Sequence, residues 1–552
     1  VIGVSVNGRS RRLRGSLADA LGHEALLSAS LAGLVAAAVA WLGPPGGDFA
    51  AHAYQRSLLV DHGFVVWNNL WYLGRYDFVA YSVLYYPLAA LLGIRLLAVL
   101  SVSVAALAFA LVVGRRWGTA GRWPGRSFAI LWAAATITGA FPFMLGVTFA
   151  LLALLALQAR ARWWFAAFSV LSLASSPVAL FLLAVVAAGV GLAQIEESRK
   201  EWKRLLFPAS VLVVCIAAQL LAMRLFPREG KLGFSWLDLL AVLAFCIIGA
   251  VVAWRGPEAR PLRWIFPVYL VVCVGSFLVP SSLGHDVTRL RFFAFPLALL
   301  LIALRGFRPR AVAGGVLALA LAWNMSPLVL NYAKERSDAE SSPSFWQPAV
   351  DYLHGHLDPS FRVEVVDTAG HWGAVYLPQA GIPIARGWFE QDDHPQNDAL
   401  YRDLGRRSYL GWLRSVGVRY VLAPRIAADN SSRREAALIS GGGSGLEAVF
   451  RSPDLTVYEV PDDRPIVTGP GRPRVLSLGY ETVRLDLPKP GTYRVAERYS
   501  PYLQLGGGCV KKGADGLTEI SVKRGGTYLL GFDFDLGRAL GVLTGDAHNR
   551  CA

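Results

Sequence analysis

The sequence is short of charge. Only 17% of its 552 residues are Asp, Glu, Lys or Arg, against roughly 25% in soluble domains, and its long apolar runs hold almost no acids. A buried acid pair in mid-span is what a transporter would show, so this shortage counts against transport. There is no P-loop, dinucleotide fingerprint, Cys/His zinc spacing or nucleophile elbow, which weakens readings as an ATP-driven pump, a redox enzyme or a serine hydrolase. No repeat of 20–50 residues and no pair of inverted halves is evident. Cysteines number five. Cys215, Cys246 and Cys273 lie in apolar runs and read as inert packing residues. Cys509 and Cys551 lie in a polar tail and can pair if that tail is extracellular, although sequence alone does not bring them together. No small-residue cleavage site precedes a soluble segment, so the first apolar run, about 25–42, is expected to stay as an anchor.

What is present is apolar surface, unevenly spread. Hydrophobic residues make up 54% of the chain and crowd into about the first 330 positions, in runs near the ~20 residues that a bilayer requires. Hydropathy predicts about eleven spans. They include two hairpins of short helices, one broken at Gly139-Ala140-Phe141-Pro142-Phe143 and the other at Ser175-Ser176-Pro177. The net charge of +15 does not point to nucleic acid, because its basic residues sit mostly in short loops between spans. Arg9, Arg11, Arg12 and Arg14 precede the first span. Arg115/Arg116, Arg160/Arg162, Lys203/Arg204, Arg255/Arg260/Arg263 and Arg305/Arg308/Arg310 then fall on the same side. That pattern predicts a cytoplasmic N-terminus and an external tail.

The tail reads as two further parts, giving predicted domains of 1–335, 336–460 and 461–552. Residues 344–460 mix helical and strand periods and predict an α/β unit. Residues 461–535 alternate with turn signals such as Lys489-Pro490-Gly491 and predict a β-sandwich or jelly roll.

The candidate site starts just after the first span, at Gly46-Gly47-Asp48-Phe49-Ala50-Ala51-His52-Ala53-Tyr54-Gln55. Asp48, His52 and Gln55 are spaced four and three apart and would share one helix face. Asp48 reads as a general base or positioning carboxylate for a hydroxyl, or as the N-cap of the helix. His52 and Gln55 support that face, with His52 either a substrate or metal contact or a packed ring. Asp77 is a ligand contact or the salt-bridge partner of Arg75. Trp71 and Tyr72 belong to an aromatic run that either stacks on sugar faces or belts the membrane interface. In Gly284-His285-Asp286-Val287-Thr288-Arg289-Leu290-Arg291, the arginines either fork a phosphate or anchor a helix end. His371-Trp372 and Ala385–Asp393 combine aromatics with polar groups in loops that either grip a ligand or simply pack.

Together, Gly47-Asp48 through Tyr54, Trp71-Tyr72-Leu73-Gly74 with Tyr81-Ser82, Phe141-Pro142-Phe143 with Leu145-Gly146, and Gly284 through Arg289 resemble the C-type (GT-C) membrane glycosyltransferases. The chain is most similar to actinobacterial arabinofuranosyl- and mannosyltransferase-like proteins, and also to bacterial membrane proteins labelled 6-pyruvoyl-tetrahydropterin synthase-related. The resemblance implies a polytopic α-helical membrane protein of the bacterial plasma membrane, with an external C-terminal α/β plus β-sandwich region. It further implies inverting transfer of a sugar, arabinofuranose or mannose, from a polyprenyl-phosphate donor to an external envelope glycan. Asp48 would be the first-loop acid, with His52, Gln55, Asp77, Trp71, Tyr72, His285, Arg289 and Arg291 binding substrate. The β-rich end resembles a carbohydrate-binding module. Many members carry two adjacent acids in the first loop. Phe49 stands in the second position here, which leaves the need for a divalent cation open, with His52 or Asp77 as the substitutes. The rival readings are a flippase for lipid-linked glycans and a non-catalytic glycan-binding scaffold.

Overall fold

The computed structural model describes residues 7–545 except 80, 229, 306–309 and 337–338. The chain divides into two compact units. One comprises residues 1–46, 82–219 and 232–336, and the other 47–81, 220–231 and 337–552.

The first unit is helical. It contains α1 (Asn7–Leu42), while the next helix, α2 (Phe49–His62), belongs to the second unit. There follow α3 (Tyr85–Leu92), α4 (Ile94–Trp117), α5 (Arg122–Ala134), α6 (Phe141–Gln158), α7 (Arg162–Ser175), α8 (Pro177–Glu197), α9 (Trp202–Leu225), α10 (Trp236–Trp254), α11 (Ile265–Leu278), α12 (Ala294–Arg305) and α13 (Arg310–Glu335). Among the described residues, nine stretches are long and apolar enough to cross a membrane, which makes this a multi-pass membrane protein. The difference from about eleven has two sources. Residues 94–138 count as one 45-residue helical stretch, because a 3-10 turn at Gly118–Gly121 joins α4 to α5 without a break, and α7 has only 14 residues.

Local chemistry fixes the breaks. Gly139 turns left-handed at φ 75 between a 3-10 turn and α6, which opens with Pro142 in its first turn. Ser176 caps α8 by accepting from the Ala179 N–H, and Pro177 opens it without wasting a donor. Small residues let helices approach. A Cβ on Gly33 of α1 would stand 2.9 Å from the Ser103 hydroxyl of α4, as expected where packing without a hydrophobic driving force depends on close contact.

The second unit holds the sheets. β1 (Trp67–Asn68) and β2 (Arg75–Tyr76) form a short antiparallel ladder. β3 (Arg362–Val365), β4 (Val418–Pro424), β5 (Glu447–Arg451) and β6 (Leu455–Glu459) form a sheet of order β3-β4-β6-β5, in which β3 and β4 run parallel. It carries α14 (Pro343–His356), α15 (Gly373–Gln379), α16 (Arg406–Ser415) and α17 (Arg433–Ser440). β7 (Val467–Thr468), β8 (Arg474–Leu478), β9 (Thr482–Leu487), β10 (Gly491–Arg498), β11 (Leu503–Leu505), β12 (Gly508–Lys512), β13 (Leu517–Val522) and β14 (Gly526–Phe532) build two antiparallel sheets, β12-β13-β10-β7 and β11-β14-β9-β8. A final helix, α18 (Leu536–Thr544), follows. β9 alternates as a half-buried strand should: Val483, Leu485 and Leu487 join Tyr493, Val495, Ile520 and Leu530 in the core. The expected Cys509–Cys551 pairing falls on Cys551, outside the described residues.

Candidate active site

Within the second unit, α2 starts at Phe49, and Asp48 occupies its N-cap position. The helix puts His52 and Gln55 on the same face, and both are buried. The His52 ring stacks on Tyr81 at 6.1 Å. Gln55 donates from Nε2 to Asp77 Oδ1 at 2.8 Å, and Asn68 Nδ2 donates to Asp77 Oδ2 at 2.8 Å and to the Tyr54 hydroxyl at 2.9 Å. Tyr54 in turn stacks on Trp71 at 4.3 Å. The face read from sequence spacing therefore continues directly into the loop that carries Asp77.

Arg75 lies at the centre of a buried ion network. Its guanidinium pairs with Asp77 and, at 3.0 Å, with Asp392. It also rides 4.1 Å above the Phe389 ring and 5.6 Å from Trp71. Arg228 grips both oxygens of Asp392 at 2.7 Å, and Arg498 donates to the Asp392 backbone carbonyl. The two carboxyls respond in opposite directions. Burial raises the Asp77 carboxyl above its ordinary range, although Arg75 opposes this. Burial also works against Asp392, but Arg228, Arg75 and Arg498 outweigh it and hold that carboxyl low. Three guanidiniums facing one acid are enough to reverse the sign.

The loop between β1 and β2 is strained. Tyr72 (φ 56), Leu73 (φ 60) and Gly74 (φ 97) are left-handed in succession, and Phe78 (φ 49) follows. Non-glycine residues in this region cost about 1–3 kcal/mol each and persist where surroundings impose them. The imposing contacts are visible. The Arg498 N–H donates to the Leu73 carbonyl at 2.6 Å, Trp71 Nε1 donates to the Ala374 carbonyl at 2.9 Å, and a Cβ at Gly74 would sit 2.4 Å from the Trp67 ring. Trp71, Tyr72 and Asp77 are all enclosed, at most 1% exposed.

His285, Arg289 and Arg291 belong to the first unit, on the 3-10 stretch Gly284–Phe293. His285 is exposed, with its Nδ1 3.0 Å from the Gly233 carbonyl. Arg289 is paired with Asp286 at 2.8 Å and lies 4.9 Å over the Phe143 ring. Arg291 lies 5.7 Å over Phe292.

Sequence reasoning missed Asn68, Arg228 and Arg498, and named Asp392 only as part of a loop. Asp392 lies 317 positions from Arg75, and no local pattern could join them. The paired acids Asp392-Asp393 after an aromatic run were the available signal.

No protein-family model matches the chain, and no curated protein does. Among solved structures it is similar to arabinofuranosyltransferase AftD from Mycobacteria at 17% identity, TM-score 0.46, over 85% of this chain and 41% of that one. It is also similar to an Archaeoglobus fulgidus oligosaccharyltransferase tethered with an acceptor peptide, at 12% identity, TM-score 0.40, over 72% of this chain and 69% of that one. A third is ArnT from Cupriavidus metallidurans, at 13% identity, TM-score 0.35, over 75% of this chain and 93% of that one. The chain thus spans less than half the length of the first of these, 41%.

Proposed function

We propose that this chain is an inverting membrane glycosyltransferase. It takes a sugar, arabinofuranose or mannose, from a polyprenyl-phosphate donor and passes it to an extracytoplasmic envelope glycan, in a bacterial plasma membrane with the N-terminus in the cytoplasm. The observation that carries the reading is Asp48: a carboxylate placed shortly after a membrane span, at the start of a helix whose polar groups His52 and Gln55 are locked in place.

Asp48 takes the proton from the acceptor hydroxyl as that oxygen attacks the anomeric carbon. The anomeric C–O bond breaks and polyprenyl phosphate leaves with the electron pair. Phosphate leaves without protonation because it is already a good leaving group, and Arg289, Arg291 and His285 are the groups of the first unit assigned to donor phosphate. His52, Gln55, Asp77, Trp71 and Tyr72 are enclosed and, in place of the substrate contacts expected of them, act as positioning residues for the helix that presents Asp48. The sandwich holds the glycan acceptor. The test is Asp48→Asn in purified full-length protein given a polyprenyl-phosphate sugar and a glycan acceptor. Loss of transfer with donor binding intact supports the reading. Unchanged transfer removes Asp48 from the mechanism, and movement of unreacted lipid-linked sugar across vesicles would favour a flippase.

A further inference from the structure

A second cluster of ligating groups stands apart from the Asp77 network. β3 and β4 are adjacent and parallel, and the chain leaves each at its C-terminal end. Asp367 lies two residues beyond β3, and Asp429 follows β4 by a short loop. The crevice past the carboxyl ends of parallel strands is where open α/β sheets bind ligands. The two loops are fastened to each other: the Asp429 N–H donates to the Asp367 carbonyl at 2.9 Å, and Thr368 and Ala428 form a bridge. His371 completes the group, with its Nδ1 2.7 Å from Asp367 Oδ2. Ligand atoms of Asp367, His371 and Asp429 all lie within 4.8 Å of one another, and all three side chains keep partial exposure. Atoms bound to one ion at about 2.0–2.2 Å stand roughly 3–4.4 Å apart, so closure asks for a shift of a few tenths of an ångström.

The cluster lies against a buried ion pair. Directly behind the cluster, Arg386 bonds both Glu364 (2.6 Å) and Glu435 (2.7 Å), and it also lies in the fields of Asp393 and Asp367. Arg386 thus bonds two fully buried glutamates whose carboxyls burial raises, while Asp367, His371 and Asp429 supply the cluster's own donors. We infer that Asp367, His371 and Asp429 bind a divalent cation of the Mn2+ or Zn2+ class. One imidazole and two carboxylates suit such ions and leave positions open for outside oxygen ligands. The site adjoins the start of α2. The Trp388 ring meets the His371 ring edge-on at 6.0 Å and its Nε1 donates to the Gly47 carbonyl at 3.3 Å, while Trp372 packs 6.1 Å from Phe49. The inference stands on these groups alone and does not rest on the glycosyl-transfer reading.

The experiment titrates full-length protein, stripped with chelator and held in detergent micelles, with Mn2+ alone, read by electron paramagnetic resonance. One saturable Mn2+ per chain is expected, showing coupling to an imidazole nitrogen. Asp367→Asn and Asp429→Asn should each weaken it at least tenfold, and Asn at 429 can still accept the Ser431 N–H that Asp429 now caps. His371→Gln should remove the nitrogen coupling. Mn2+ should raise the melting temperature of the wild type and not of the Asp367→Asn variant, which separates lost binding from lost folding. Absence of saturable binding in the wild type overturns the site. So does binding that survives in all three variants, or binding lost in Asp48→Asn and kept in Asp367→Asn, which would move the ion to the first loop.

Discussion

Replacing Arg75 by Met tests whether the buried ion network fixes the loop that supports α2. Met keeps most of the length and the apolar contact with Phe389 and Trp71 but removes the charge. The side chains of Arg75, Asp77 and Asp392 are 3%, 0% and 4% exposed, so solvent screening does little to soften the loss. Asp392 retains Arg228 and Arg498, and the cost therefore falls on Asp77, left among the described residues with the amides of Gln55 and Asn68. Stripping one partner from a buried pair costs about 3–5 kcal/mol. The carboxyl of Asp77 is already raised by burial, and without Arg75 it rises further. The penalty should then grow as pH climbs above the unfolded carboxylate range and fade below it, where both states hold the proton. Arg75→Met/Asp77→Asn removes both charges and should recover most of the loss, leaving ~1 kcal/mol for each imperfect amide bond. The assay is equilibrium urea unfolding of the full chain in detergent at pH 5 and 8, followed by tryptophan fluorescence, since Trp67 and Trp71 lie in the affected loop. A double variant as unstable as Arg75→Met alone, or a penalty independent of pH, would refute the reasoning.

Three further outcomes are expected. Asp48→Asn should lower the rate of sugar transfer by about 10²–10⁴-fold, the usual worth of a general base, with Asp48→Glu recovering part of it, measured with radiolabelled lipid-linked donor. Arg289→Ala should reduce kcat/KM for that donor by roughly 10–100-fold, as loss of a charged phosphate contact of about 1.5–3 kcal/mol requires, and Arg289→Lys should fall between. Burial lifts the Glu497 carboxyl from 4.5 to about 7 against the pull of Arg362. Its contribution to stability is therefore complete below its unfolded value and is lost as pH rises through 7, about 3 kcal/mol in all. Urea midpoints should decline between pH 5 and 8, and Glu497→Gln should flatten that decline.

The helical unit was largely legible because length and hydropathy suffice for spans, and because Gly139 and Pro177 mark breaks by their own backbone chemistry. Joining α4 to α5 was not legible, since Arg115, Arg116, Arg122 and Arg126 interrupt the apolar run and only the backbone shows helical turns carrying on through residues 118–121. In the sandwich, β9 and β10 announce themselves by alternation. β7 has two residues and β11 three, too few to show any period. His52 and Gln55 were readable as one helix face because helical spacing is local. The partners of that face were not, because Asp392, Arg228 and Arg498 come from segments brought together only by the tertiary fold. Nor could Tyr72 and Leu73 be foreseen as left-handed, since neither side chain favours that region.

Residues 47–81 leave the ribosome well before residues 337–552, which complete the core they belong to. At typical synthesis rates the wait for residues 82–336 is on the order of 10–50 s. Throughout it, Trp67, Trp71 and Tyr76 lack the late-made rings and carbonyls that enclose them in the finished protein, including Tyr502, Phe532 and Ala374. Packing of the aromatic segment that follows Asp48 therefore waits for strands made hundreds of residues later. A chain that stalls or is clipped before its last strands would insert its membrane helices in full and still leave a sticky, unfinished aromatic segment for quality-control proteases to find.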